Sequence, residues 1–183
     1  MSYFKGYKIR LYPTREQEQI FWKHINCCRY IWNHMLDVQI DNYKNCGKFI
    51  SAFSMNNMIT CLKRDGEHDW LSEVSISSLQ NECKDLANAF SMMRKAKNGF
   101  PKFKSKKKDK KSFPISCSKN AFYFLGKFVH TPKVGKVKYK TDYSLPFGSN
   151  RETICNPRIS FNGSKWFFKF FDGVREPSTP ANG

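Results

Sequence analysis

Lysines and phenylalanines interleave through residues 99–111, GFPKFKSKKKDKK. There, ammonium groups can meet phosphates while the rings of Phe100 and Phe103 stack on bases or pin the segment to a core. The lysines of that run, Lys102, Lys104, Lys106, Lys107 and Lys108, form one candidate surface for polynucleotide backbones. Lys8 and Arg10, and further on Lys136, Lys138 and Lys140, occupy alternating positions, so each set shares one face of an extended strand and makes a second basic surface. Two such surfaces imply that more than one strand of nucleic acid is held. Carboxylates, by contrast, are dispersed. Phosphodiester hydrolysis by divalent ions needs several acids converging on one or two metals. The one local group, Asp65, Glu67 and Asp69, lacks the length and closing Glu of a calcium loop and reads as a solvated helix connector. His24, Cys27 and Cys28 are neighbours on a helix and His130 is distant in sequence. Without a C-x-x-C pair they are expected to pack rather than bind zinc. No G-x-S-x-G occurs and no spacing implies a Cys–His pair. No catalytic residue and no metal ligand is assigned.

The charge balance agrees. Among 183 residues, 32 Lys and Arg face 15 Asp and Glu, for a formal charge of +17 and a pI near 9.7. A field of this size attracts phosphate backbones by counterion release, without sequence specificity. A membrane partner is not expected, because no run of about 20 apolar residues exists and no helix pairs a basic face with a Leu/Trp face. The start, MSYFKGYKIRLYP, lacks an apolar signal core, so a cytoplasmic setting is expected. Seven cysteines, two of them adjacent, do not form a secreted disulfide framework. With 40% hydrophobic residues and 17 phenylalanines, the chain can build a core. Its length fits one domain, or an all-α segment followed by an all-β one.

These residues need particular elements to position them. Tyr7, Ile9 and Leu11 alternate with Lys8 and Arg10, predicting a strand over residues 4–11. A Thr14–Gln17 capping box then precedes a stripe at Phe21, Ile25, Cys28, Trp32, Met35 and Gln39, predicting a helix to about Tyr43. A shorter helix, N-capped by Ser54, carries Met55, Met58, Ile59 and Leu62. A third, starting near Ser75 or Ser77, carries Leu79, Cys83, Leu86, Phe90 and Met93. Between Arg94 and Lys111, ten Lys or Arg meet the single acid Asp109, predicting a flexible basic loop. Strands follow over residues 121–129, 136–140, 153–161 and 165–171. Asn162-Gly163 forms the last hairpin turn, since both residues tolerate positive φ. The tail EPSTPANG reads as a linker. The first strand stands apart from the others by a long helical stretch; if it joins their sheet, the helices are an insertion into a β-domain.

Four stretches taken together are specific: YKIRLYPTREQEQIFWKHINCCRYIWNHML, WLSEVSISSLQNECKDLANAF, GFPKFKSKKKDKKSF and TPKVGKVKYK. In this order they resemble the N-terminal half of TnpB/OrfB proteins, the transposon-associated relatives of compact type V CRISPR effectors. The resemblance implies an α+β fold, a wedge-type, OB-like β-barrel whose first strand precedes an inserted helical-bundle recognition lobe. Residues 1–13 would be the first barrel strand, 14–111 the lobe ending in the basic loop, 112–172 the remaining barrel strands and 173–183 a linker. A RuvC-like nuclease, with its magnesium, would follow; the G-[IV]-D segment that opens it is not in this sequence, so cleavage is not carried over. Implied partners are a guide RNA from the transposon end, double-stranded target DNA with a short flanking motif, and a nuclease-domain partner supplied in trans. By motif, Ile76, Ser77 and Gln80 fall on the family's DNA-reading helix, Phe53 and Asn56 on the shorter helix beside it, and Ser118, Lys119 and Asn120 at the re-entry into the barrel. A Gln amide can pair with an adenine edge in the major groove, and Ile76 can touch a thymine methyl. The alternatives are a nuclease-lacking, DNA-binding transcriptional regulator derived from such a protein, and a basic RNA-associated structural protein. The last explains the charge but not the order of the motifs.

Overall fold

The computed structural model describes residues 2–96, 99–117, 121–142, 145 and 154–175. In chain order the elements are β1 (Ser2–Tyr12), α1 (Arg15–Cys46), α2 (Ala52–Leu62), a 3-10 turn over Asp69–Glu73 and α3 (Ile76–Ala96). β2 (Lys111–Pro114), β3 (Tyr123–Leu125), β4 (Phe128–Thr131), β5 (Gly135–Lys140), β6 (Ile154–Phe161) and β7 (Trp166–Arg175) follow. The fold is mixed helix and strand, as expected.

β1 buries Tyr7, Ile9 and Leu11 and turns Lys8, Arg10 and Tyr12 to the other side, as its period-2 pattern requires. It pairs antiparallel with β7 from Ser2↔Arg175 to Leu11↔Trp166, and with β5 from Arg10↔Lys140 to Tyr12↔Lys138. β1 therefore lies inside a seven-stranded antiparallel sheet of order β2-β6-β7-β1-β5-β4-β3, and the three helices are inserted between this strand and its partners. Phe124 of β3 has its ring 5.7 Å from Phe168 and 6.5 Å from Phe170 of β7. Four strand steps separate β3 from β7, roughly 19 Å in a flat sheet. The sheet must curl to bring these rings together. Among the described residues the ladder has β2 at one edge and β3 at the other, a half-barrel where a barrel was expected.

The helices form around the expected stripes, with adjustments. The capping box at Thr14 and Gln17 opens α1, which ends at Gly47 in the left-handed region, φ 65°, with its N–H donating to Tyr43 O at 2.8 Å. Ile31 and Leu36, outside the expected stripe, are buried, whereas Trp32 within it is half-buried with its indole N–H donating to Lys102 O at 2.9 Å. The N-cap of α2 is Ser51, whose Oγ accepts from the Ser54 amide, one turn earlier than expected. The stretch 121–129 is not one strand: Gly126, at φ 55°, turns it into the β3–β4 hairpin. In the β6–β7 turn only Gly163 takes positive φ. Asn162 instead uses its side-chain oxygen to accept from the Ser164 and Lys165 amides.

Helices and sheet share one buried cluster. Phe21 of α1 packs 5.8 Å from Phe113 of β2 and 4.9 Å from Trp166 of β7, ring to ring. Beside it, buried His24 is used on both nitrogens: Nδ1 donates to Ile20 O at 2.9 Å and Nε2 accepts from the Ser75 amide at 3.1 Å. That pairing selects the neutral ring, and burial, with the positive charge of Lys133, lowers its pKa below 6.5. As pH falls below about 6.5 the unfolded chain takes up the proton first, so the contribution of His24 is complete above that value and is lost below it. His34 acts with the same sign, held down by burial and by His68. The urea midpoint is therefore expected to fall between about pH 7.5 and pH 5.5. In His24→Gln that fall should shrink; an undiminished fall would assign it elsewhere.

Candidate nucleic-acid interface

The sheet's outer face carries cations and rings side by side because three neighbouring strands present alternate residues to it. β1 contributes Lys8, Arg10 and Tyr12, β7 contributes Phe167, Lys169 and Phe171, and β5 contributes Lys136, Lys138 and Lys140. Register sets Lys8 opposite Lys169, Arg10 between Phe167 and Lys140, and Tyr12 opposite Lys138. The Phe167 ring lies under two cations, Lys8 Nζ at 4.2 Å and the Arg10 guanidinium at 5.7 Å. Arg10 also stacks over Tyr12 at 5.1 Å, and its buried Nη1 has no hydrogen-bond partner. An unsatisfied guanidinium N–H of this kind calls for an acceptor.

Beside Lys8 and Lys169 runs a groove of about 710 Å³, lined also by Lys110, Lys111 and Arg158, with Phe161 and Phe171 along it and no acidic side chain among its lining residues. Burial and the nearby ammonium groups of Lys8 and Lys110 lower the pKa of Lys169. The mutual repulsion of these lysines is relieved by an anion between them. A phosphate chain supplies anions at regular spacing, and exposed rings beside it accept bases of any identity.

The basic run after α3 is anchored where a flexible loop was expected. Asn33 of α1 binds the Lys104 backbone on both sides, Lys104 N–H to Oδ1 at 2.7 Å and Nδ2 to Lys104 O at 3.0 Å. Lys104 itself is committed: its Nζ reaches the fully buried Glu82 of α3 at 2.6 Å and lies 3.9 Å over the Trp32 ring. Arg158 of β6 completes the network, at 3.1 Å from Glu82 and 2.7 Å from Asp85. Asp109 closes the following turn onto the Ser105 amide. Lys102, Lys106, Lys107 and Lys108 remain exposed on this tethered segment.

Ile76, Ser77 and Gln80 share the first turns of α3; Ile76 is exposed, Ser77 and Gln80 half-buried. Phe53, 74% exposed, and Asn56 share a face of α2, and the Asn56 side-chain oxygen is buried without a partner. Ser51, at the start of α2, lines a cavity with Ala87, Phe90 and Met93 in the later part of α3. The pair on α2 thus starts beside the far end of α3 and is not gathered with Ile76. Ser118, Lys119 and Asn120 lie outside the described residues. The acidic loop is a local cap: Asp65 accepts from the Glu67 and His68 amides and pairs with His68 Nδ1, whose Nε2 meets Tyr30 OH. Burial pushes the Cys27 thiol to about 11 and Cys28 well above its ordinary value. His130 stacks on Tyr123, and among the described residues no group of three His, Cys, Asp or Glu is placed to hold a metal. No helix described is long and apolar enough to cross a membrane.

These features define an α+β chain with a cationic, ring-bearing sheet face. Residues 1–48 match the helix-turn-helix domain of OrfB from IS605, a segment that here is β1, α1 and its Gly47 cap, with α2 beginning beyond it. The whole chain is 25% identical to the provisionally named RNA-guided DNA endonuclease InsQ of Escherichia coli (strain K12), over 43% of that protein. It is also 25% identical, over 97% of its length, to a provisionally named RNA-guided DNA endonuclease of Streptomyces pristinaespiralis, again over 43% of it. The resemblance to TnpB/OrfB proteins is borne out by these matches, and the chain spans less than half the length of these relatives.

Lys169, Phe167, Phe171, Asn33, Glu82 and Arg158 were not singled out by sequence. In β7, WFFKFFDGVR, phenylalanines fall on both faces, so hydrophobicity does not alternate and the outward Phe-Lys-Phe row is hidden. Glu82→Gln should cost about 1–3 kcal/mol in urea unfolding, because the two cations lose a charged partner. Trypsin should then cut faster within residues 102–111; unchanged cutting would show that the backbone bonds from Asn33 and Trp32 hold the loop without Glu82.

Proposed function

We propose that this chain is the guide-RNA-binding and target-DNA-reading portion of a TnpB-like RNA-guided DNA endonuclease. In this reading the curled sheet is the wedge barrel, the helices are the recognition lobe, and cleavage with its magnesium belongs to a catalytic domain outside these residues. The observation that carries it is the outer sheet face, where lysines of β1, β5 and β7 and rings of β1 and β7 share one side in register, beside a groove with no acidic lining residue. The similarity to two proteins named as RNA-guided DNA endonucleases supports it. In this assignment the sheet face grips RNA. Gln80, Ser77 and Ile76 on α3, with Phe53 and Asn56 on α2 and the 118–120 segment, read the duplex motif that flanks the target.

A discrete structured RNA should copurify with the chain, and DNA binding should depend on it. Lys8→Ala with Lys169→Ala should reduce RNA recovery and lower the slope of log affinity against log salt by about 0.7 per lost phosphate contact. An unchanged slope would remove the sheet face from the RNA role, and tight guide-free binding to one duplex sequence would favour the transcriptional regulator. Gln80→Ala should weaken motif-bearing DNA by about 1–3 kcal/mol and leave RNA binding intact. An equal loss on every DNA sequence would strip Gln80 of a reading role.

A further inference from the structure

Two cysteines meet at a backbone irregularity in the sheet. β2 and β6 pair up to Pro114↔Arg158, and one more bond, from the Ile115 amide to Pro157 O at 2.8 Å, carries the two chains alongside each other past the end of β2. Just beyond, β6 bulges between Cys155 and Arg158, with Asn156 at φ 51°. The Asn156 N–H, the amide next to Cys155, points at the Cys117 sulfur, and both cysteines are exposed free thiols. Adjacent strands hold facing residues about 4.5–5.5 Å apart between Cα atoms, within the span a disulfide bridges. We propose that Cys117 and Cys155 form a reversible disulfide that fastens the end of β2 to the start of β6.

The oxidant is a low-molecular-weight disulfide such as oxidised glutathione. The Cys155 thiolate attacks one of its sulfurs and expels one glutathione thiolate. The Cys117 thiolate then attacks Cys155 Sγ in the mixed disulfide and expels the second. Two thiols lose two electrons and two protons, and one glutathione disulfide becomes two glutathione thiols. Burial around the Cys117 sulfur and the nearby Cys155 raise the Cys117 pKa, which suits it to the second step, where Cys155 is already bound and the reaction is intramolecular. The bond encloses β3, β4 and β5 in one covalent loop and ties down the residue immediately before Ser118.

The whole chain, treated with oxidised glutathione, alkylated and digested without reductant, is expected to yield one linked peptide pair joining Cys117 and Cys155, with a loss of two of the seven thiols. Its melting midpoint should rise by about 5 °C and return with dithiothreitol. Cys117→Ser and Cys155→Ser should each abolish both effects. Glutathione left separately on Cys117 and Cys155 with no linked peptide would overturn the inference, as would links running through Cys46 or Cys61. None of these readouts involves nucleic acid, so they stand or fall apart from the proposed function.

Discussion

The whole architecture depends on β1 lying between β5 and β7. This strand has hydrogen-bonding partners on both edges, and all of them lie more than a hundred residues later in the chain. The sheet cannot close around it until the intervening chain with its three helices has folded back, and α1 packs on the sheet where it does so. Phe21 against Phe113 and Trp166 makes that contact. Such long-range closure is slow to form but couples helices and strands into one core.

From that constraint the outer face follows. Since Tyr7, Ile9 and Leu11 must be inside, Lys8, Arg10 and Tyr12 must be outside, and the register then decides which β5 and β7 residues join them. A one-residue slip would exchange the cationic face for the core. The side chains that would meet a polyanion are therefore aligned by the same pairs that hold the fold. α1 adds a second alignment through its amides: Asn33 holds the Lys104 backbone, and buried Gln39 holds Ile50 at 2.7 Å through both its oxygen and its nitrogen. Each sets where an incoming loop crosses the helix.

Patterns with a clean period were legible in the sequence: β1, the Thr14 cap, and most of the stripes on α1 and α3. Boundaries set by one residue's backbone were not, as at Ser51 and Gly126, because several nearby residues offered the same chemistry. The basic loop was legible as charge but not as an ordered segment. Its order comes from Asn33, Trp32 and Glu82, which lie 22 to 71 residues away from their partners. Likewise Lys104 could not be separated from Lys106 by composition; only the buried carboxylate of Glu82 distinguishes them. The sheet face was half visible, through β1 and β5, and its β7 part was masked by phenylalanines on both sides of that strand.

Ser2 and Arg175 are direct partners in the β1–β7 ladder. Backbones so paired stand only about 5 Å apart, so a few residues would suffice to bridge them. The chain could then be opened instead at the exposed Gly66 turn without breaking a strand pair or a helix. The order in which these segments are synthesised is thus separable from how they assemble, and anything joined after β7 emerges beside the first residues of β1.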